Sequence, residues 1–288
     1  MVKVALVQMS CIPEIEENIK KALNYVAEAA RGGAEIVCLP EQFSSIYIGA
    51  FQDPRYFSLA ESIPGPTTRK VCKAAAENHV TIIASIFEED TKLRGRFFNT
   101  STVVGPDGEL LGVYRKAHIP NVAGFLEKFY FTPGDTPFPI FQTPKAKIGI
   151  VMCYDRHFPE GVRIEALRGA EIVFMPTCTS LLPEAWEVEL RAHAIFNAIF
   201  VAGVNRVGQE SPQQRNPYYG RSLAVNPRGE VLASAGSGEE LIIVDMDLSE
   251  IGERRKETPH LTRDRRPELY GYLAKFQTSP NAEERHCT

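Results

Sequence analysis

The sequence lacks a long uninterrupted apolar run, and this absence excludes the commonest kind of membrane protein. A membrane-spanning helix needs about 18 consecutive apolar residues, and no stretch of the 288 residues approaches that length. The first apolar segment, residues 2–9, contains Lys3 and Gln8 and does not resemble a secretion signal. We therefore expect a soluble, cytoplasmic protein with no membrane partner.

The sequence also lacks a large excess of charge of either sign. Its 36 acidic residues only slightly outnumber the 32 Lys and Arg residues, which leaves a formal charge of −4. Two basic runs near the C-terminus, residues 253–256 and 263–266, are interrupted by acids. Nucleic acids and anionic membranes bind broad basic surfaces, so we expect no nucleic acid partner.

Paired cysteines and histidine clusters are missing as well. The six cysteines are scattered with no Cys-x-x-Cys pair, and no histidines have the spacing of metal ligands. We therefore predict reduced thiols, no metal and no organic cofactor. The H-E-x-x-H pattern of zinc hydrolases and the G-x-S-x-G elbow of serine hydrolases are also absent, which disfavours both classes.

What the sequence does contain is a repeat. Residues 31–41 and 168–177 read almost alike, each with a glycine after a helical pattern and a proline that stops a short apolar strand. The first half predicts strand, helix, strand, helix, strand and hairpin at 2–9, 14–30, 35–39, 67–78, 80–87 and 100–114. The second half predicts the same order at 146–152, 159–168, 171–175, 185–198, 199–204 and 222–232, with a last strand at 241–246. Because each sheet needs cover on both faces, we predict an α/β fold, a four-layer α-β-β-α sandwich of two similar halves in a single domain, residues 1–288.

Three chemically useful side chains follow predicted strands: Glu41, Lys116 and Cys153. In α/β proteins, reactive groups gather at the carboxyl ends of strands. The carboxylate can take the proton of the thiol, the thiolate can attack an electrophilic carbon, and the ammonium can stabilise the resulting oxyanion. Each residue alone is typical of packing, loop capping or solvated charge, so the set carries more weight than its members.

The residues around these positions resemble the signature segments of the nitrilase superfamily of carbon–nitrogen hydrolases. The matching segments are Leu-Pro-Glu-Gln-Phe at 39–43, Tyr-Arg-Lys-Ala-His-Ile-Pro at 114–120 and Met-Cys-Tyr-Asp-Arg-His-Phe-Pro-Glu at 152–160. The resemblance implies Glu41 as general base, Lys116 as oxyanion stabiliser and Cys153 as nucleophile. Residues 125–135 are similar to the segment that carries a second glutamate, here Glu127, which positions the substrate and the lysine.

The same resemblance bears on the assembly. Members of the superfamily usually pair through their outer helices and C-terminal tail. We therefore expect a homodimer or a larger even homo-oligomer, with residues 247–288 forming a solvated helix and a tail that contributes to subunit contacts.

Arg156 favours one substrate class, the N-carbamoyl amino acids. It is similar to the arginine with which carbamoyl-amino-acid hydrolases bind the substrate carboxylate, and a guanidinium suits a carboxylate because it donates two parallel hydrogen bonds. The segment 263–270 also looks like that of β-ureidopropionase-type enzymes. We predict hydrolysis of a compound such as N-carbamoyl-β-alanine to ammonia and carbon dioxide through a thioester. The alternative for Arg156 is a structural ion pair with Asp155 or Glu160.

Other functions stay open. N-carbamoylputrescine amidases resemble this chain at 114–120 and 127–135, although Arg156 would repel their cationic substrate, and an aliphatic ω-amidase belongs to the same alternative. A nitrilase is less favoured because Tyr154-Asp155 stands where nitrile-cleaving members have Trp-Glu. A non-catalytic binding protein with the same fold is the remaining alternative.

Four further residues have predicted roles, and for three of them two alternatives are open. Tyr154 is expected to offer its backbone N–H to the oxyanion and to contact the substrate. His118 lies either beside the substrate or on backbone groups. Trp186 opens a core helix or lines the mouth of the pocket, and Asn99-Thr-Ser101 fits a glycosylation acceptor but is expected to be ordinary strand sequence.

Overall fold

The computed structural model describes residues 1–212 and 214–275, so residues 276–288 of the expected tail lie outside it. The first half follows the predicted order: β1 (Val2–Gln8), α1 (Ile15–Arg31), β2 (Ile36–Cys38), α2 (Pro66–Asn78), β3 (Thr81–Glu89), β4 (Phe97–Val104) and β5 (Leu110–Arg115). The second half contains β6 (Phe141–Gln142), β7 (Lys147–Ile150), α3 (Pro159–Leu167), β8 (Ile172–Pro176), α4 (Pro183–Asn197), β9 (Phe200–Val204), β10 (Val207–Gly208), β11 (Tyr218–Tyr219), β12 (Leu223–Val225), β13 (Val231–Ser234) and β14 (Glu240–Met246). Two helices follow, α5 (Ser249–Glu257) and α6 (Gly271–Lys275).

The strands form two six-stranded sheets with the same internal order. One runs β14-β1-β2-β3-β4-β5 and the other β13-β12-β9-β8-β7-β6, so β1 to β5 correspond to β7, β8, β9, β12 and β13. In each sheet three parallel strands are followed by an antiparallel hairpin. The last strand, β14, does not join its own half but pairs antiparallel with β1 over seven residues, from Val2↔Met246 to Gln8↔Glu240.

Side-chain alternation in the strands explains why the sheets stack. Along β1, Val4 and Leu6 enter a core shared by both sheets, whereas Ala5 and Val7 enter the core under the helices of the first half. A third core lies between the second sheet and α3 and α4. Helices therefore cover the outer face of each sheet, and the predicted α-β-β-α sandwich is confirmed.

The helices begin and end where sequence signals place them. In α1 the buried residues Ile19, Ala22 and Val26 recur at helical spacing, and the chain leaves the helix at Gly32 and Gly33, of which Gly33 has a φ of +83°. The short elements β6, β10 and β11 were not predicted. Each of these strands is only two residues long and has no hydrophobic periodicity that a sequence could reveal. They form because β6 pairs with β7 and β10 pairs with β11.

The strand β7 receives support from a buried acid on α3. The side chain of Glu165 is fully buried, and its Oε1 accepts a hydrogen bond of 2.8 Å from the backbone N–H of Ile150. A Cβ at Gly149 would clash with this carboxyl group, so only glycine permits the approach. The contact holds the end of the strand that leads to residue 153.

Across residues 1–212 and 214–275, no helix has the length and apolar character needed to cross a bilayer. The same part of the chain contains no group of three or more His, Cys, Asp or Glu side chains placed to hold a metal ion.

Candidate active site

The strand directions bring three segments of the chain to one region. The strands β2 and β3 run parallel, and β5 runs the same way because two antiparallel pairings separate it from β3. Glu41 follows β2 and Lys116 follows β5, so both lie at the same edge of the first sheet. Cys153 follows β7 in the facing sheet and begins the 3-10 helix Cys153–His157.

Lys116 lies between two glutamates. Its Nζ donates to Oε1 of Glu41 at 2.7 Å and to Oε1 and Oε2 of Glu127 at 2.9 and 2.8 Å. All three side chains have 0% exposure. A buried ammonium needs such partners because removing an unpaired charge from water costs about 5 kcal/mol.

The pKa values of this cluster follow from burial and charge. Burial alone would lower the pKa of Lys116, but the charges of Glu127 and Glu41 outweigh it and hold that pKa well above its usual value. Burial raises the pKa of Glu127 to about 7, against the opposing effect of Lys116. The cluster therefore holds a permanent ammonium and one carboxyl group that is close to titration at neutral pH.

Cys153 has a strained backbone. Its φ of +45° lies in the left-handed region, where a non-glycine residue costs about 1–3 kcal/mol. Its Sγ is 3.7 Å from the backbone oxygen of Cys178, to which the thiol donates, and the whole residue is buried. Gln42, directly after Glu41, has a similar φ of +51°. Strain of this kind is typical of residues whose side chains must be aimed at a site.

The thiol of Cys153 is neutral in this state. Burial, together with the charge of Glu41, raises its pKa to about 12, although Lys116 opposes the shift. The thiol therefore interacts electrostatically with both Glu41 and Lys116. A thiol of this pKa becomes a nucleophile only by giving its proton to a base during the reaction.

An apolar cavity of about 330 Å³ opens onto Cys153. Its lining is mostly hydrocarbon and aromatic, from Pro120, Val122, Phe125, Tyr154, Leu181 and Leu182. Polar atoms come from Arg156, His157 and Thr179. This cavity suits a small molecule with an aliphatic body. Tyr154 lines it, and its contact with the substrate stays a prediction.

The guanidinium of Arg156 is already engaged. Its Nε donates to Oε2 of Glu189 at 2.8 Å and its Nη1 donates to the backbone oxygen of Cys153 at 2.9 Å. Burial alone would raise the pKa of Glu189, but hydrogen bonding to His157 and the charge of Arg156 hold that pKa below its usual value. The alternative prediction, an ion pair of Arg156 with Asp155 or Glu160, was wrong about the partner, which is Glu189. Glu189 lies on α4 and is distant in sequence, so its contact with Arg156 depends on the fold.

His118 is held by a carboxylate. Oδ1 of Asp155 accepts from the backbone N–H of His118 at 2.9 Å and lies 2.7 Å from its ring Nδ1. The ring stacks on Phe158 at 3.7 Å, and Tyr114 donates to the other oxygen of Asp155. Within the described part of the chain, His118 is not among the residues that line the Cys153 cavity. Its contact with substrate stays a prediction.

Two neighbours of the glutamates carry no sequence signal. The hydroxyl of Tyr47 donates to Oε1 of Glu127 at 2.7 Å, and Nδ2 of Asn99 donates to Oε1 of Glu41 at 2.7 Å. Both residues are buried, which also excludes Asn99 as a glycosylation site. Their contacts arise because strands and loops distant in sequence converge here.

The segment that follows Glu41 is fastened to the second half of the chain. The buried guanidinium of Arg206 donates to the backbone oxygens of Glu41, Gln42 and Ser45 and pairs with Glu210 at 2.6 Å. Burial alone would lower the pKa of Arg206, but its interactions with Cys11, Glu210 and Cys178 hold that pKa well above its usual value. The N–H groups of Arg206 are divided between this loop and Glu210.

Trp186 lies near the start of α4 and takes the core position expected of it. Its side chain is buried, Nε1 donates to the backbone oxygen of Arg221 at 2.7 Å, and its ring lies 5.5 Å from the Arg156 guanidinium. The indole ring therefore makes a cation–π contact with the Arg156 guanidinium.

Comparison with known proteins agrees with this geometry. A family model described as carbon-nitrogen hydrolase matches residues 3–256. An N-carbamoylputrescine amidase from Solanum lycopersicum is 36% identical over 97% of this chain and 97% of that protein, and the omega-amidase NIT2 from Homo sapiens is 38% identical over 95% and 98%. The crystal structure of a carbon-nitrogen hydrolase from Helicobacter pylori G27 is 33% identical and superposes with a TM-score of 0.89 over 95% of this chain and 98% of that chain. The chain belongs to the carbon-nitrogen hydrolase family of the nitrilase superfamily and is a hydrolase of carbon–nitrogen bonds other than peptide bonds.

Proposed function

We propose that this protein is a cysteine-dependent amidohydrolase that releases ammonia from the terminal –CO–NH2 group of a small aliphatic molecule, with N-carbamoyl compounds as the preferred class. One observation carries the proposal: a buried lysine that pairs with two buried glutamates interacts electrostatically with a buried cysteine, and that cysteine opens onto an apolar cavity. The two relatives named above are amidases by name, which supports the same chemistry.

The first half-reaction uses the neutral thiol. Glu41 takes the proton of Cys153 as the sulfur attacks the carbamoyl carbon, and Lys116 with the backbone N–H of Tyr154 stabilises the oxygen that becomes negative. Glu41 then gives the proton to the departing nitrogen, which leaves as ammonia. The carbonyl carbon stays on sulfur as a thioester.

The second half-reaction regenerates the thiol. Glu41 removes a proton from water, the resulting hydroxide attacks the thioester carbon, and the sulfur leaves and is reprotonated. With an N-carbamoyl substrate the product is a carbamic acid, which breaks down to the amine and carbon dioxide. Glu127 holds Lys116 in place throughout, since it accepts two hydrogen bonds from the ammonium.

The charge around the cavity favours a substrate tail that is not an anion. Glu189 neutralises Arg156, and the rest of the lining is mostly apolar. A carboxylate would have to compete with Glu189 for the guanidinium, whereas an aliphatic chain with a neutral or cationic end meets no such competition. The relative named for N-carbamoylputrescine supports this choice.

An N-carbamoyl amino acid is the second candidate. The observation in its favour is that Arg156 lines the cavity beside Cys153, where its remaining N–H groups could meet a carboxylate. Of this class, N-carbamoyl-β-alanine is the compound that the sequence predicts.

Ammonia release by the purified protein tests the proposal. We compare N-carbamoylputrescine, N-carbamoyl-β-alanine, a simple ω-amide and an aliphatic nitrile, and we expect the first to react fastest and the nitrile to be inert. Cys153→Ala should abolish the reaction, whereas Cys72→Ala, on the outer helix α2, should not. Ammonia release from none of these compounds, or undiminished activity of Cys153→Ala, would refute it.

A further inference from the structure

Asn99 contacts both members of the central ion pair. From β4, its Nδ2 donates to Oε1 of Glu41 at 2.7 Å, and its backbone oxygen accepts from the backbone N–H of Lys116 at 2.9 Å. Lys116 Nζ donates at 2.7 Å to the same oxygen of Glu41. One residue therefore holds the carboxylate by its side chain and the lysine by its main chain.

The orientation of the Asn99 amide follows from the groups on its two sides. An ionised carboxylate only accepts hydrogen bonds, so the NH2 group of Asn99 faces Glu41. On the other side Oγ of Ser85, on β3, donates to Oδ1 of Asn99 at 3.1 Å, and both residues are fully buried. Asn99 thus presents a donor, not an acceptor, to the carboxylate.

The two oxygens of Glu41 are consequently unequal. Oε1 accepts from Asn99 and from Lys116, whereas Oε2 is buried and has no hydrogen-bond partner among the described residues. A carboxylate oxygen that accepts two hydrogen bonds is the weaker base, so the proton of an attacking thiol goes to the other oxygen.

We propose that Asn99 is a positioning residue of the hydrolysis reaction, which occupies Oε1 of Glu41 and leaves Oε2 as the oxygen that exchanges the proton with Cys153. The inference rests on the proposed function, in which Glu41 is the base. It assigns a role in the reaction to a residue whose own side chain contacts neither the lysine ammonium nor the thiol in the described structure.

A purely structural role explains these contacts less well. The pairing of β4 with β3 and β5 is already complete through the backbone. A buried amide contributes no more to stability than a leucine of similar size, unless its hydrogen bonds serve another group.

The pH dependence of any Asn99 variant also depends on the titratable groups around Glu41. Among the described residues, those that interact electrostatically with Glu41 include Lys116, Glu127, Tyr47, Cys153 and Cys178.

Two substitutions test the role because they differ in their expected pH profiles. Asn99→Leu removes the donor, and we expect kcat to fall about 10- to 100-fold at every pH with KM changed less than about twofold. Asn99→Asp places a second carboxyl group beside Glu41, and two adjacent buried carboxyl groups share one proton. The protonated form of the new carboxyl group still donates to Glu41 as the amide does. The activity of Asn99→Asp should therefore be retained at low pH and be lost as pH rises and that donor ionises.

Thr102→Val is the matched control. Thr102 lies on the same strand, is equally buried and donates across the β3–β4 pair to the backbone oxygen of Ala84 at 3.0 Å. The control removes a similar hydrogen bond away from Glu41 and should leave the pH profile unchanged. Ser85→Ala, which frees the Asn99 amide to rotate, should lower kcat less than Asn99→Leu does.

The outcomes separate this inference from the proposed function. If the wild-type protein releases ammonia and Cys153→Ala does not, the proposed function stands. The role of Asn99 is then refuted if Asn99→Asp keeps the wild-type pH profile, or if Asn99→Leu and Thr102→Val lose activity equally. If Asn99→Leu fails to fold, the pH profile of Asn99→Asp decides the question, and a wild-type profile refutes the role.

Discussion

At the scale of single residues, the guanidinium of Arg156 is divided between an acid and the nucleophile. One nitrogen donates to Glu189 and another to the backbone oxygen of Cys153. Because residue 153 has a strained φ, this hydrogen bond helps to keep the thiol aimed at the cavity. We therefore expect the arginine to act first on the position of the nucleophile and only secondarily on the substrate.

We expect Arg156→Gln to lower kcat about tenfold or more for every substrate that reacts, since a hydrogen bond from a charged donor contributes about 1.5–3 kcal/mol. KM should change less than about threefold. The measurement is steady-state ammonia release with N-carbamoylputrescine and N-carbamoyl-β-alanine. Arg191→Gln, at an exposed arginine of α4 that pairs with Glu187, is the control and should retain wild-type rates.

A different result would restore the first substrate prediction. If Arg156→Gln raises KM chiefly for N-carbamoyl-β-alanine and leaves kcat intact, Arg156 binds a carboxylate and the anionic substrate is the right one.

The sequence predicts the four central residues, but it does not predict the side chains that support them. Glu41, Lys116, Glu127 and Cys153 are predicted because family motifs surround them. In the structure the first three are in direct contact, and Cys153 interacts electrostatically with them. Their catalytic roles stay predictions. Tyr47, Asn99 and Glu189 stand in no such motif. Their contacts depend on which loop, strand or helix packs against the site, and no local pattern encodes that.

At the scale of elements, the short strand β7 depends on Glu165 of α3. Burial raises the pKa of Glu165 well above its usual value, and its hydrogen bond from Ile150 does not reverse the shift. The carboxyl group therefore binds its proton more tightly in the folded state than in the unfolded state. Because unfolding releases this proton, the contribution of Glu165 to stability is complete below its unfolded pKa and decreases as pH rises above about 4.5.

We expect Glu165→Gln to become more stable relative to wild type as pH rises. Glutamine keeps the acceptor for Ile150 and does not ionise, so the difference in unfolding free energy should grow by up to about 1.4 kcal/mol per pH unit above the unfolded pKa. Urea unfolding between pH 5 and 8 measures it. Glu184→Gln, at an exposed glutamate of α4, should show no such trend, and parallel curves for wild type and Glu165→Gln would contradict the prediction.

The longer elements could be predicted from sequence, and the shortest could not. The helices α1 to α4 and the central strands lie within one to three residues of their expected bounds, because apolar spacing and Gly or Pro at the ends mark them. The 3-10 helices Ile48–Ala50 and Pro54–Leu59 were missed. A single turn has no periodic face, and these turns are held by tertiary contacts such as the aromatic cluster around Phe57 and Phe87.

At the scale of the whole molecule, the outer helices of the second half retain exposed apolar side chains. On α3 and α4 these are Ile164, Leu167, Val188 and Phe196. Exposed apolar side chains that form a contiguous patch are typical of subunit contacts, and these four are the candidates on the outer helices. The observation supports the expectation of an even homo-oligomer, which stays a prediction together with the role of residues 247–288.

Light scattering of the purified protein tests the assembly, and we expect the mass of a dimer or a larger even oligomer. Val188→Glu and Phe196→Glu should shift the mass toward the monomer, because each places a charge on a face that association would bury. Leu93→Glu, at an equally exposed leucine of the first half, is the control. A monomeric wild-type protein would overturn the expectation.

The pairing of β14 with β1 joins the two halves of the chain, because a strand from the second half completes the sheet of the first half. The first strand of the chain borders the last along seven residues, so a polypeptide that stopped after the first half would leave β1 with an open edge. During synthesis β14 is the last strand of the first sheet to leave the ribosome. Glu41 and Lys116, which follow strands of that sheet, and also Glu127 and Cys153, emerge much earlier. The sheet that carries Glu41 and Lys116 is thus completed only after residue 246 has been synthesised.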